Sequence, residues 1–238
     1  MKALRKVLGA GTVAGAVAVG ALVSGTGAAG ALSNGGGAGA ADDRVTFERL
    51  APGDEKASVS ALAALGVQSA GLVDSYRLIG TQENDNFLIT RSDSGRFIVR
   101  SRARPITPIS PPLGCRVDST LQVSCNPGLI KSLVARLKRG RDRVAMKPFV
   151  RMPSFMVGGR GGDRLVAGNG NAVQRGKRGP DRLFGNGGRN LLGGGKGRDV
   201  ITTGSKHNRV RGGPGHDICI DIRKGTNRFR GCESIRRR

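Results

Sequence analysis

Asp163, Asp181, Asp199 and Asp217 recur at every eighteenth position, and each closes a glycine-rich hexapeptide: GGRGGD, GKRGPD, GGKGRD and GGPGHD. Between them lie equivalent turns ending at Ala172, Asn190 and Asn208, so the underlying period is nine. Two positions beyond most of these residues comes an apolar one: Leu165, Leu183, Leu192, Ile201, Val210 and Cys219. A fixed short period is the mark of units that bury a core only by stacking. The doubled period adds that alternate turns differ. That follows if one coil spans two nonapeptides and the turns stack along two opposite edges. The uninterrupted run covers residues 158–220.

The residue types at these positions point to a chemistry. Glycine allows positive φ and close backbone approach, and a glycine-rich turn exposes its carbonyls. The closing Asp adds a charged oxygen. Six to eight oxygens, from carboxylates, carbonyls and water, are what calcium takes. The triplet after each turn reads as a short strand with one inward side chain. Neighbouring strands lie about 4.8 Å apart. Two bare carboxylates at that spacing repel by roughly 3–4 kcal/mol at an effective dielectric near 20. Something must neutralise the Asp column: calcium, or Arg164, Arg182 and Arg198, which adjoin these aspartates.

The nonapeptides resemble the RTX, or hemolysin-type, calcium-binding repeat, whose fold is a right-handed parallel β-roll. The resemblance implies calcium held between successive turns of one edge. The pairs Asp163/Asp181, Asp181/Asp199 and Asp199/Asp217 would bracket three sites. On the other edge Ala172 cannot ligate, and Asn190 and Asn208 are neutral; they suit an amide ladder. Calcium is therefore expected on one edge only. More loosely, residues 72–235 resemble small secreted repeat proteins with irregular β-coils, a Cys pair, nonapeptides and a D-x-C…G-C-E tail, here Asp217, Cys219, Gly231, Cys232 and Glu233.

Upstream, the N-terminus reads as a secretory signal, with Lys2, Arg5 and Lys6 before an uncharged Ala/Gly/Val/Leu run and small-residue sites at 29–31 and 38–40. It is assigned to residues 1–31, with cleavage as late as 41, and no membrane span is expected after it. Export permits disulfides. Four cysteines allow three pairings, and the local ones, Cys115–Cys125 and Cys219–Cys232, are the expectation. Each contributes about 3 kcal/mol by the chain-entropy argument. The second would fold the tail over the open end of the roll. Zinc is the rival reading, but no C-x-x-C pair and no matched His accompanies these cysteines.

The expected organisation is all-β: a parallel β-roll or β-solenoid of nonapeptides, preceded by irregular β-coils and a hairpin. Residues 42–71 read as a linker or poorly ordered arm, with a short helix at 55–65. Residues 72–157 read as irregular coils, 158–220 as the roll and 221–238 as a basic capping tail. Gly80–Phe87 looks like a degenerate repeat turn, and Phe87–Arg91 pairs with Arg96–Ser101 as a hairpin. Prolines 105, 108, 111 and 112 interrupt regular structure, and a strand is expected over Leu129–Arg136. Asp142 precedes Asp163 by one coil plus three positions. An insertion near 147–153 would bring it onto the Asp edge as a further metal residue.

Formal net charge is +23, and from residue 158 onward 19 Lys/Arg face 6 Asp/Glu. A regular roll would display these as a basic stripe attractive to DNA, anionic cell-wall polymer or acidic polysaccharide. The alternative is a solvated surface without a partner. With no Trp and one Tyr, platforms for stacking bases are missing. Neither His207 nor His216, both in repeat turns, belongs to a catalytic motif. The chain reads as a secreted calcium-binding protein without catalysis, or as a basic polyanion binder on a solenoid scaffold.

Overall fold

The computed structural model describes residues 44–49, 75–108, 114–222 and 227–238. The signal segment, the helix expected at 55–65, prolines 111 and 112 and most of the linker lie outside them. Among the described residues every regular element is a strand.

The roll is made by strands that alternate between two sheets. β1 (Val45–Arg49), β2 (Ser75–Ile79), β3 (Asn86–Arg91), β4 (Phe97–Ser101) and β5 (Ile106–Pro108) open the fold. β6 (Cys115–Ser119) and β7 (Gln122–Cys125) follow, then β8 (Ser132–Arg136) and β9 (Arg143–Met146). The repeats supply β10 (Ser154–Arg160), β11 (Arg164–Val166), β12 (Ala172–Arg178), β13 (Arg182–Phe184), β14 (Asn190–Lys196), β15 (Val200–Thr202), β16 (Asn208–Arg211) and β17 (Ile218–Asp221). The tail adds β18 (Arg228–Arg230) and β19 (Ser234–Arg237).

The nine-stranded sheet runs β18-β16-β14-β12-β10-β8-β2-β1-β5, and the ten-stranded sheet runs β19-β17-β15-β13-β11-β9-β3-β4-β7-β6. From β2 to β18 and from β3 to β19 every neighbouring pair is parallel. Each coil thus crosses from one sheet to the other at the Asp edge and returns at the Asn edge. Only one side chain per repeat strand need point inward. Val144, Leu165, Leu183, Ile201 and Cys219 form one fully buried column. Gln174 is the polar intruder in the facing column; its amide nitrogen donates to the Phe184 carbonyl at 3.1 Å.

Two ends need covering, because a parallel edge is a template for unwanted pairing. At the N-terminal end β1 pairs antiparallel to β2, and β4 pairs antiparallel to β3. β7 and β6 continue beyond β4, with Cys115 bonded to Cys125 across their last register pair. The start of the expected linker is therefore a strand of the sheet. Its Val45 is buried in the core, which fixes it there.

The C-terminal end also departs from expectation. Residues 227–238 do not fold over the roll; they add a coil, with β18 parallel to β16 and β19 parallel to β17. Asn227-Arg228-Phe229-Arg230 repeats Asn208-Arg209-Val210-Arg211 at a spacing of 19, so Phe229 takes the inward register of Val210. Cys219 bonds Cys232 between the last two coils. Arginines on β18 and β19 discourage pairing at this edge by charge.

Positive φ recurs at two turn positions, and at the first of them it falls on Gly159 (130°), Gly195 (123°) and Gly213 (125°), but on Lys177 (91°) in the intervening coil. A non-glycine residue there is strained. Lys177→Gly should raise stability by about 1 kcal/mol. Gly195→Lys should lower it by more, because a Cβ on Gly195 would overlap the Lys177 carbonyl oxygen. Thermal unfolding of the two variants checks the opposed signs.

Candidate metal centre

Every Asp that closes a turn on one edge takes part in one hydrogen-bonded ladder. The backbone N–H of each donates to the carboxylate of the next coil. Asp142 donates to Asp163 Oδ1 at 2.9 Å, Asp163 to Asp181 at 2.8 Å, Asp181 to Asp199 at 2.8 Å and Asp199 to Asp217 at 2.9 Å. Asp142 enters by the register of β9 with β11, which pairs Arg143 with Arg164. Two further members, Asp85 of the degenerate turn and Glu233 of the tail motif, are not placed on this edge by sequence spacing. Asp85 donates to Asp142 Oδ1 at 2.8 Å, and Asp217 donates to Glu233 Oε2 at 2.6 Å. Asp85 does close a G-x-x-x-x-D hexapeptide, but 57 residues separate it from Asp142.

The second carboxylate oxygen behaves differently. Oδ2 of Asp142, Asp163, Asp181, Asp199 and Asp217 is buried and makes no hydrogen bond. Those of Asp163, Asp181 and Asp199 each share the space over a turn glycine with a carbonyl oxygen of the following coil. A Cβ built on Gly176 would run into Asp181 Oδ2 and, at 2.5 Å, the Gly194 carbonyl oxygen. The same pair of obstacles stands at Gly158, from Asp163 and Gly176, and at Gly194, from Asp199 and Gly212. Glycine at the first turn position thus keeps open a cradle lined by oxygen from two coils.

The Asn edge shows what such a cradle needs. Asn190 and Asn208 accept like the aspartates: Ala172 N–H donates to Asn190 Oδ1 at 2.9 Å, and Asn190 N–H to Asn208 Oδ1 at 3.1 Å. Their amide nitrogens, however, turn inward and donate to the carbonyls of their own turn. Asn190 Nδ2 reaches the Gly185 and Gly187 oxygens at 3.0 and 3.1 Å, and Asn208 Nδ2 reaches Gly204 at 3.2 Å. The expected amide ladder is therefore mostly side chain to backbone; Asn208 Nδ2 to Asn227 Oδ1, 2.9 Å, is its side-chain rung. Where the Asn edge places a donor, the Asp edge places a second acceptor. A cation or a proton must stand in for the missing N–H.

Arginine does not supply it. Arg182 and Arg198 point to solvent, and Arg164 lies over the Phe184 ring at 4.2 Å. The donor set suits a hard cation: one carboxylate per turn, with carbonyls completing the shell. Among the described residues no three His, Cys, Asp or Glu side chains converge, so a soft-metal cluster is not the pattern.

Burial is the main force on these carboxyls, and it raises all five. Asp142 is pushed up to about 7, against the backbone N–H of Asp85 and with help from the Asp163 and Asp85 charges. Asp181 is pushed up to about 8, with Asp163 and Asp199 adding to the burial effect. Asp163 and Asp199 rise to about 6, and Asp217 rises too. Exposed Glu233 is held low by the N–H groups of Asp217 and its own backbone.

A family model for the RTX calcium-binding nonapeptide repeat matches in four copies, over residues 155–171, 175–201 and 193–220. These residues are RTX repeats. No curated protein and no solved structure matches the chain. The ladder reaches beyond the matched RTX segment at both ends, to Asp85 and Asp142 before it and to Glu233 after it.

Two outcomes follow from the missing donor. Asp181→Asn should place an amide where Asn190 has one and remove a buried charge. Without calcium the variant should then be more stable than the wild type at pH 8, by about 1–2 kcal/mol, while binding less calcium. Chemical unfolding in chelator and calorimetry with calcium test the two halves. The pH dependence also has a definite sign. Carboxyls raised above their free value stabilise the fold while protonated, and lose that contribution as pH rises through about 6–8. In chelator the melting temperature should fall between pH 5 and pH 8.5. In millimolar calcium the fall should vanish, since the ion replaces the protons.

Proposed function

We propose that the chain is a secreted protein whose RTX roll is ordered by calcium, with a structural or interaction role and no catalysis of its own. The observation that carries this is the row of buried, unpartnered Oδ2 atoms on Asp142, Asp163, Asp181, Asp199 and Asp217, beside an Asn edge where the same position is filled by an N–H donor. Calcium would supply the positive charge there. Asp163, Asp181, Asp199 and Asp217 would hold it with turn carbonyls, and Asp142 would extend the row. Two disulfides and an N-terminal signal pattern support export. Exposed His207 and His216 lie in separate turns, which supports a role other than catalysis.

A metal that binds only the folded state stabilises it by RT ln(1 + [L]/Kd), about 4 kcal/mol at a thousandfold excess over Kd. Circular dichroism of the full chain should show a higher melting temperature in millimolar calcium than in chelator. Calorimetry should find ions lost in Asp181→Ala and Asp199→Ala but retained in Asn190→Ala. Equal melting in calcium and chelator would remove the reading.

A second reading, binding of an anionic polymer, is favoured by the way charge is sorted. Asp142, Asp163, Asp181, Asp199, Asp217 and Asp221 are all buried. Most Lys and Arg of the same segment are exposed. The surface of the roll is therefore more basic than the net charge states, and such a surface binds polyanions by counterion release.

A further inference from the structure

The arginines of the roll are not spread evenly, and one group of them surrounds a depression. On the outer face of the nine-stranded sheet, Val173, Leu191, Arg209 and Arg228 stand in one register column. Arg175, Gly193, Arg211 and Arg230 stand in the next. Gly193 leaves a gap in that second column. The gap opens a shallow cavity of about 640 Å³, floored by Val173, Leu191 and Gly193 and walled by the five arginines.

These guanidiniums are available. Arg209, Arg211, Arg228 and Arg230 are exposed and make no side-chain hydrogen bond or ion pair with another described residue. Arg175 leans on the Phe155 ring at 5.3 Å, which fixes its direction without neutralising it. The carboxylates of the matching coils, Asp181, Asp199 and Asp217, are turned inside. Arg209/Arg228 and Arg211/Arg230 are register neighbours about 4.8 Å apart, and the two columns are about 6.8 Å apart along the strand. Four like charges so close repel one another, and that repulsion is relieved by a bound anion. Guanidinium forks grip phosphate oxygens two at a time, with a directionality that ammonium lacks.

The floor narrows the choice of anion. It is mainly aliphatic, with Gln174 as the polar residue of the lining, and it offers no ring: Phe155 is buried and Arg175 covers it. Bases and sugar rings would find nothing to stack on. A chain of phosphates joined by short neutral polyol links would set its charges against the arginine walls and its links over Val173, Leu191 and Gly193. We infer that this cradle on the outer face of the nine-stranded sheet, walled by Arg175, Arg209, Arg211, Arg228 and Arg230, is a docking site for a polyol-phosphate polymer. The inference rests on the polyanion reading and gives it a location and a partner chemistry.

The test is titration of the full chain, in millimolar calcium and about 0.15 M salt, with poly(glycerol phosphate) as probe. R211Q/R230Q removes two cradle charges. R143Q/R182Q removes two charges from the opposite sheet, where Arg143, Arg164 and Arg182 stand in register. The cradle pair should weaken binding about tenfold or more and the control pair less than about threefold, if fork contacts add to the general field. G193L changes no charge. A Cβ there meets only the Gln174 carbonyl oxygen, at 3.9 Å, so the fold accepts it. It should fill the floor and weaken binding as the cradle pair does. Absence of wild-type binding would overturn the polyanion reading and the cradle with it. Equal loss in the two charge pairs would keep that reading and remove the cradle. An oligothymidylate of equal phosphate number that binds about tenfold tighter would make the occupant nucleic acid instead.

Discussion

A buried carboxylate with one oxygen hydrogen-bonded and the other without a donor cannot carry its charge unaided. That constraint organises the Asp edge. Oδ1 is committed to the backbone N–H of the preceding coil, so each carboxylate is held in place before any ion arrives. Oδ2 is left with the turn carbonyls. A proton removes the charge, and a divalent cation offsets it and satisfies the carbonyls as well. The first answer fails as pH rises and the second does not. The same edge is thus a structural weakness without a cation and a staple with one.

This sorting of charge explains how so basic a chain forms a tight solenoid. Acidic groups of the roll stack in a buried file, and the basic ones stand outside at register spacing. Arg143, Arg164 and Arg182 illustrate the tension. Burial, then the neighbouring Arg143 and Arg182 charges, press the Arg164 value downward, and its guanidinium settles on the face of Phe184. Screening by salt, cation–π contact and bound anions are the means of relieving such columns. None requires an ion pair with the Asp file, from which Arg164, Arg182 and Arg198 are turned away.

The fold is legible where sequence period and spatial period coincide. From Asp163 to Asp217 the chain advances one coil at every eighteenth position, so the column, the inward apolar file and the two unequal edges can all be read from spacing. Asp142, one coil and three positions upstream of Asp163, is still visible because the insertion is short. The turn of Asp85 is visible but its place in the column is not, because β4 to β7 are inserted between its coil and the next, and hydrogen bonding rather than spacing restores the register. The tail hides its repeat in the same way: steps of 19 to Asn227 and 16 to Glu233 break the count, though N-R-F-R echoes N-R-V-R. The strand at 45–49 carries no repeat signal. It pairs because the first coil has an edge to cover.

The ladder has a direction, and its two ends are closed by different means. Each carboxylate from Asp142 onward reaches back one coil, and the carboxylate of Asp85 is met within its own turn. Asp85 Oδ2 accepts from Thr81, whose N–H lies 2.6 Å and whose hydroxyl lies 3.2 Å away. Here a donor fills the place that a cation would take in the coils beyond, as Asn does on the other edge. At the far end the last Asp amide has no following Asp to meet. Glu233 supplies the acceptor, its longer side chain spanning the shortened coil, and its exposure lets it stay charged without a partner ion. The row of unpartnered oxygens therefore begins at Asp142 and ends at Asp217. Its length is set by these two substitutions, a donor at one end and a solvated carboxylate at the other, rather than by the number of coils.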